Sequence, residues 1–228
     1  MSPPAAAAAP AHKHRVFVVD DHPIVRQGLA LLIDQQPDLV VCGAAEDAES
    51  ALTAIATSRP DVLVLDISLP GRDGIELLKT IRSSDPDMPI LVLSMHDETM
   101  YAERALRAGA NGYIMKQEAT ENVLVALRRI LRQEVYLSDR IASRMLRQLT
   151  FHGRETPDPP ITRLSDRELE VFRLIGAGLG TRQIADELRL SVKTVESYQA
   201  HIKEKLALQS SRDLVQRAIE WRMGERND

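Results

Sequence analysis

Five side chains in the first half of this chain could do ionic chemistry together, and each closes a short apolar run. Asp20 and Asp21 follow VFVV, Asp66 ends VLVLD, Ser94 ends ILVLS and Lys116 follows GYIM. Adjacent carboxylates repel one another, and burying even one is costly. Three of them in one place need a shared counter-charge. A hard divalent cation such as Mg²⁺, which accepts a few carboxylates and keeps several waters, suits that role. Lys116 would add a fixed ammonium and Ser94 a hydroxyl donor. Such a collection matches a phosphoryl group. Any one of these residues alone reads as an ordinary turn former, helix cap or solvated lysine; the set carries the chemistry.

The elements that must position them are legible in the spacing. Apolar runs at 16–19, 39–42, 62–65, 90–93 and 112–115 are short and rich in Val, Ile and Leu. Between them lie longer segments with helical periodicity, such as Val123, Leu124, Leu127, Ile130 and Leu131. Strands alternating with helices predict an α/β fold, a five-stranded doubly wound parallel sheet covered on both faces. In such sheets ligands sit outside the carboxyl ends of the strands, where all five residues would fall. Beyond Glu134 the strand signal stops. The spacing predicts a helix over 138–149 inside a linker, 134–160, whose FHGRETPDPPIT has the Pro, Gly and polar content of a connection. After it all reads helical. Ser165 and Glu168 form a capping-box pattern, and further helices are expected over 181–188, 192–207 and 212–222. The expected division is a disordered Ala/Pro-rich lead-in at 1–13, a domain at 14–133, the linker, and an all-α domain at 161–225.

Composition bounds the alternatives. A chain of 228 residues, 44% hydrophobic and 27% charged, has the make-up of a soluble globular protein. No run approaches the length of a membrane span, and the N-terminus lacks the features of a signal peptide. The lone Cys42, in the apolar run VVCGA, fits a packed thiol in a reducing cytoplasm. Residues 14–133 carry 12 Lys/Arg against 18 Asp/Glu, whereas residues 161–228 carry 12 against 11. The second half is therefore near neutral, and a case for nucleic-acid binding must rest on how its charges are distributed.

DDHP, DISLPGRDG, LS and GANGYIMK at these spacings resemble the receiver domain of two-component response regulators, a flavodoxin-like fold, over about residues 14–133. The resemblance implies that Asp66 is the phosphoacceptor, taking phosphate from a phosphohistidine on a sensor histidine kinase. It implies Asp20, Asp21, Asp66 and the backbone carbonyl of Ser68 as the ligands of Mg²⁺. Ser94 and Lys116 would contact the phosphoryl oxygens, and Tyr113 would be the aromatic that reorients on activation. Pro70 would shape the loop after Asp66, and Gly74 its exit into a helix.

The segment LSDRELEVFRLIGAGLGTRQIADELRLSVKTVESYQAHIKEKLAL is similar to the LuxR-type helix-turn-helix of the NarL/FixJ regulators. On a helical wheel Val192, Val195, Gln199, Ile202 and Leu206 share an inward face. Lys193, Ser197, Ala200 and Glu204 centre the opposite face, with Thr194, Glu196 and His201 beside them. That face could lie in a major groove, capped at its start by Ser191. Arg182, Lys193, Lys203 and Lys205 are candidate phosphate contacts; Glu196, Ser197 and Ala200 occupy base-facing positions. Few phosphate contacts per subunit mean weak binding by one domain, so a homodimer on two half-sites is expected. Leu214, Ala218 and Trp221 could pack internally or pair subunits.

The reading that follows is a cytoplasmic DNA-binding response regulator rather than a turnover enzyme. Its partners would be a cognate kinase, promoter DNA and RNA polymerase, with no membrane. An Mg²⁺-dependent phosphohydrolase with an aspartyl nucleophile typically carries a second Asp two residues on, where this chain has Ser68. A constitutive DNA binder whose receiver only dimerises is the other alternative.

Overall fold

A computed structural model describes residues 13–69, 74–95, 98–151, 160–188 and 190–225. The lead-in expected at 1–13 lies outside these apart from Lys13, and Pro70 lies outside them too. The chain divides into two compact units, Met1–Phe151 and His152–Asp228.

The first unit alternates as the spacing predicts. In chain order it has β1 His14–Val19, α1 Pro23–Asp34, β2 Leu39–Ala45, α2 Ala48–Ser58, β3 Val62–Asp66 and α3 Gly74–Ser84, then β4 Ile90–Ser94, α4 Glu98–Arg107, β5 Gly112–Met115 and α5 Ala119–Leu131. All strand pairs are parallel, in the order β2-β1-β3-β4-β5. The order reverses between β1 and β3, which opens a crevice at their carboxyl ends. Central strands are buried on both faces, as their unbroken apolar runs require. Val16, Val18, Val62, Val64, Leu91, Leu93 and Ile114 turn to one face, against Leu29 and Ile33 of α1 and Val123, Leu127 and Ile130 of α5. The alternate residues, Tyr113 among them, turn to the other face.

β2 runs to Ala45, three residues past the expected end. Its last residues are Gly43-Ala44-Ala45, too small to register as an apolar run. A Cβ on Gly43 would come within 2.6 Å of the Phe17 ring, so the small residues are what lets β2 close on β1. The register slips between Val16 and Phe17, whose partners are Val41 and Gly43, leaving Cys42 as the extra residue of a bulge. Burial pushes the Cys42 thiol up, against the pull of Arg15. A further helix, α6 Asp139–Phe151, belongs to this unit and packs against α4.

The second unit is α7 Asp166–Gly176, α8 Thr181–Glu187, α9 Val192–Lys205 and α10 Ser211–Glu225. The capping box at Ser165 is present in full: its side chain accepts from Glu168 N–H, and Glu168 accepts from Ser165 N–H. Leu169, Phe172, Ile184, Val195, Ile202, Leu214 and Ala218 make the core. The Trp221 ring lies 5.6 Å from that of Phe172, so Leu214, Ala218 and Trp221 pack internally. The exposed apolar line of α10 is the neighbouring one, Val215, Ile219 and Met223. Among the described residues no helix is long and apolar enough to cross a membrane.

Candidate functional site

The turns that leave the sheet deliver the acidic residues to the crevice. β1 ends at Val19, and Asp20 and Asp21 follow before Pro23 starts α1 with φ preset for a helix. Asp66 is the last residue of β3 and lies beside Leu93 of β4. Ser94, one residue further along β4, pairs in register with Met115, and Lys116 comes next in the chain. The strand register therefore brings side chains separated by up to 96 positions onto one rim.

The rim closes around one ammonium. Lys116 Nζ stands 2.7 Å from Asp66 Oδ2 and 2.7 Å from Asp20 Oδ2. Asp66 and Ser94 are wholly buried, and the Asp20 side chain is 1% exposed. Asp66 Oδ1 accepts from the Ser68 N–H at 2.8 Å, which anchors the loop after β3 to the carboxylate. One ligand atom from each of Asp20, Asp21, His22 and Asp66 can be chosen so that all lie within 4.8 Å of one another. Burial raises Asp66 above the ordinary carboxylate value; Lys116 opposes this and Asp20 adds to it. Burial pulls Lys116 down, but pairing with Asp66 and Asp20 outweighs it and leaves the ammonium above its usual value. Lys116 is thus held charged.

Gly74 is required for the geometry of the far side of the loop. Its N–H donates to the Ile67 carbonyl at 3.2 Å, and a Cβ there would sit 2.7 Å from the Asp66 carbonyl oxygen and 2.8 Å from that of Ile67. Helix α3 can start this close to β3 only with no side chain at its first position. Tyr113, on β5, is 1% exposed. Tyr113 and Ser94 are both buried in this conformation.

Sequence reasoning passed over two side chains at this rim. His22 Nδ1 lies 2.6 Å from Asp21 Oδ1 and 3.3 Å from Asp20 Oδ1. Arg26 donates to the Asp20 backbone carbonyl and pairs with Glu46 at 3.4 Å. His22 stands in the quoted DDHP and could have been noticed; Arg26 is found only once α1 is docked on the sheet.

In the second unit the outer face of α9 presents Lys193, Glu196, Ser197, Ala200 and His201, all exposed, with Arg182 exposed at the start of α8. Gln199, half-buried, reaches Thr181 Oγ1 at 3.3 Å and ties α9 to α8. Val192, expected to face inward, is 39% exposed, because the inward face is used from Val195 onward. Thr194 is engaged at the helix start: its N–H donates to Ser191 Oγ at 3.0 Å, and the two hydroxyls are 2.7 Å apart. Lys205 Nζ is 2.6 Å from Glu168 Oε2, and His201 Nδ1 is 3.8 Å from Glu168 Oε1. The ammonium of Lys205 therefore staples α9 to the start of α7. Burial raises Glu168, but the Lys205 and Ser165 hydrogen bonds outweigh it and hold the carboxyl below its ordinary value.

Fold and rim together define a receiver domain followed by a helix-turn-helix unit. Residues 16–128 match the response regulator receiver domain, and residues 162–218 match the bacterial regulatory proteins of the luxR family. The chain belongs to the NarL/FixJ family of two-component response regulators. It is 35% identical over 213 residues to the oxygen regulatory protein NreC of Staphylococcus haemolyticus, covering 92% of this chain and 98% of that protein. A solved structure of RcsB from Salmonella enterica serovar Typhimurium, bound to promoter P1flhDC in the presence of phosphomimetic BeF3−, is 28% identical with a TM-score of 0.58, covering 91% of this chain and 98% of that one. A LuxR-family response regulator from Aurantimonas sp. SI85-9A1 is 36% identical with a TM-score of 0.56, covering 60% of this chain and 99% of that one.

Proposed function

We propose that Asp66 is the phosphoacceptor of this response regulator and that its phosphorylation controls DNA binding and transcription. The observation that carries the reading is the Lys116 ammonium held 2.7 Å from both Asp66 and Asp20 in a buried pocket. A buried, charged lysine beside a strand-end carboxylate is suited to stabilise a phosphoryl group formed on that carboxylate. In the transfer an Asp66 oxygen bonds to phosphorus as the P–N bond of the kinase's phosphohistidine breaks. Lys116 and Ser94 then hold the phosphoryl oxygens.

The donor set suits Mg²⁺. Asp20, Asp21 and Asp66 supply hard anionic oxygens within one small volume, and the Ser68 carbonyl is the further oxygen assigned by resemblance. When bound there, Mg²⁺ supplies positive charge against the transferring phosphoryl group. Tyr113 serves as the switch residue, and phosphorylation biases two conformations of the receiver rather than creating a new one.

Lys193, Glu196, Ser197, Ala200 and His201 form the groove-facing surface of α9, with Arg182 on a phosphate. Thr194 and Lys205 act at the two ends of the helix, Thr194 beside its cap and Lys205 through its link to Glu168. Val215, Ile219 and Met223 give α10 an exposed apolar line on which a second copy can pair, and two half-sites supply the affinity a near-neutral unit lacks. A RcsB structure solved on promoter DNA with a phosphomimetic supports this coupling. The partners are a sensor histidine kinase, promoter DNA and RNA polymerase, in the cytoplasm.

The test is acid-labile phosphate on Asp66 after incubation with a small phosphodonor and Mg²⁺, together with promoter binding before and after. Wild type should be labelled and bind more tightly, and Asp66→Asn should do neither. Equal DNA affinity with and without phosphodonor would favour the constitutive binder.

A further inference from the structure

Residues 136–145 hold onto the receiver at two places, and both lead back to Asp66. Helix α5 ends at Leu131, and Gln133, with a φ of 64°, turns the chain toward the open edge of β5. There Tyr136 accepts from the Tyr113 N–H and donates to the Asn111 carbonyl, each at 3.0 Å. Gly112 sets how close the segment comes: a Cβ on it would lie 3.0 Å from the Tyr136 carbonyl oxygen and 3.1 Å from the Tyr136 Cβ. Just beyond, Ser138 Oγ accepts from the Ile141 N–H at 3.3 Å where α6 begins. Ile141 is 2% exposed and Met145, one turn later, is half-buried, on a helix that packs against α4.

β5 and α4 are also tied to the side chains that would hold a phosphoryl group. Lys116 directly follows β5, and three residues, 95–97, separate Ser94 from the start of α4 at Glu98. A phosphoryl group on Asp66 that engages both Ser94 and Lys116 fastens the ends of β4 and β5 to a single group. That restrains the β5 edge and the entry to α4. A surface already ordered loses less entropy when a segment docks on it, so the two events favour each other without any new contact. By linkage the docked segment favours the phosphoryl group by the same factor.

We propose that a phosphoryl group on Asp66 and the docking of residues 136–145 on β5 and α4 strengthen each other, which makes this segment the route from the receiver to the helix-turn-helix unit. The coupling rests on Asp66 being the phosphoacceptor, as proposed above, and adds the part of the chain that senses it.

Amide exchange of the full chain, followed by mass spectrometry with and without beryllofluoride and Mg²⁺, tests it, and the ¹⁹F resonance of bound beryllofluoride measures occupancy. Bound beryllofluoride should slow exchange over residues 136–145 by at least about five-fold, and Asp66→Asn should show neither the resonance nor the slowing. Ile141→Ser, which loosens docking at a distance from the pocket, should weaken beryllofluoride binding by a similar factor. Ile141→Val should act in the same direction to a smaller degree and guards against a folding defect in the serine variant. Two results overturn the coupling while leaving Asp66 as the phosphoacceptor: unchanged or faster exchange in the occupied wild type, or full beryllofluoride affinity in an Ile141→Ser chain whose segment exchanges freely. If wild type shows no bound resonance, the reading of Asp66 fails and the coupling with it.

Discussion

The backbone N–H of Tyr113 donates to the carbonyl of Tyr136 at 3.0 Å, and the N–H of Tyr136 donates in turn to the carbonyl of Asn111 at 3.0 Å. Residue 136 thereby adds one parallel rung to the open edge of β5 at Gly112. The Tyr136 ring rests near the guanidinium of Arg129, 5.7 Å from it. The segment leading to α6 is thus stitched to the strand that carries the proposed switch residue. An otherwise bare sheet edge is covered in the process. Tyr136→Pro removes the donor to Asn111. It should destabilise the first unit by about 1–2 kcal/mol and speed amide exchange at Tyr113, read by hydrogen exchange and urea unfolding. Unchanged exchange at Tyr113 would mean that the rung does not form in solution.

Lys116 is the counter-charge for two buried carboxylates at once. Lys116→Met keeps an unbranched side chain one atom shorter and removes the charge, so Asp20 and Asp66 are left facing each other. In the presence of a chelator the variant should lose about 3–5 kcal/mol of stability. Millimolar Mg²⁺ should recover more stability in the variant than in wild type, because the ion then replaces the missing ammonium. Urea midpoints followed by circular dichroism, with and without Mg²⁺, give the comparison.

Glu168 makes the second unit acid-sensitive. Its folded value lies below the ordinary 4.5, so its contribution is in place above pH 4.5 and is lost as the pH falls through the folded value. Trp221, the sole tryptophan, packs on Phe172 inside this unit, and its fluorescence follows the unit's unfolding. Glu168→Gln should flatten the decline in stability below pH 4.5. Lys205→Ala should cost about 2 kcal/mol near neutral pH, since it strips a buried carboxylate of its cation.

Gly74→Ala places a methyl against the Asp66 and Ile67 carbonyl oxygens, and backbone cannot rotate aside as a side chain can. The expected result is about 1–3 kcal/mol of destabilisation together with a large drop in acyl-phosphate yield at Asp66. Normal phosphorylation would show that α3 can be displaced without disturbing the acceptor.

Lys193→Ala should weaken binding to promoter and to random DNA by similar factors and lower the salt slope by about 1, the signature of a lost phosphate contact. Ser197→Ala should instead alter preference among sequences at nearly constant slope. Band-shift titrations over a range of salt concentrations separate the two outcomes.

Much of this molecule was legible before any coordinates. The unbroken apolar runs required strands covered on both sides, and the placement of Asp20, Asp66, Ser94 and Lys116 at their ends required a common rim. The capping box at Ser165 and the inward face of α9 from Val195 onward were equally plain, because periodicity and capping are local properties of a chain. Less legible was the end of β2, where Gly43 and its alanines carry no apolar signal and matter only because Phe17 lies across them.

What tertiary structure alone decided is which charges answer which. Residue types near 20, 66 and 116 imply a buried ionic cluster, but that Lys116 bridges Asp20 and Asp66 while His22 turns to Asp21 depends on strand register and on the entry of α1. Lys205 looks in sequence like its neighbour Lys203, and only the docking of α9 on α7 sets its ammonium on Glu168. The physical reason is range: spacing reports what happens within a turn or a strand, whereas an ion pair is chosen among partners that folding brings together from distant positions.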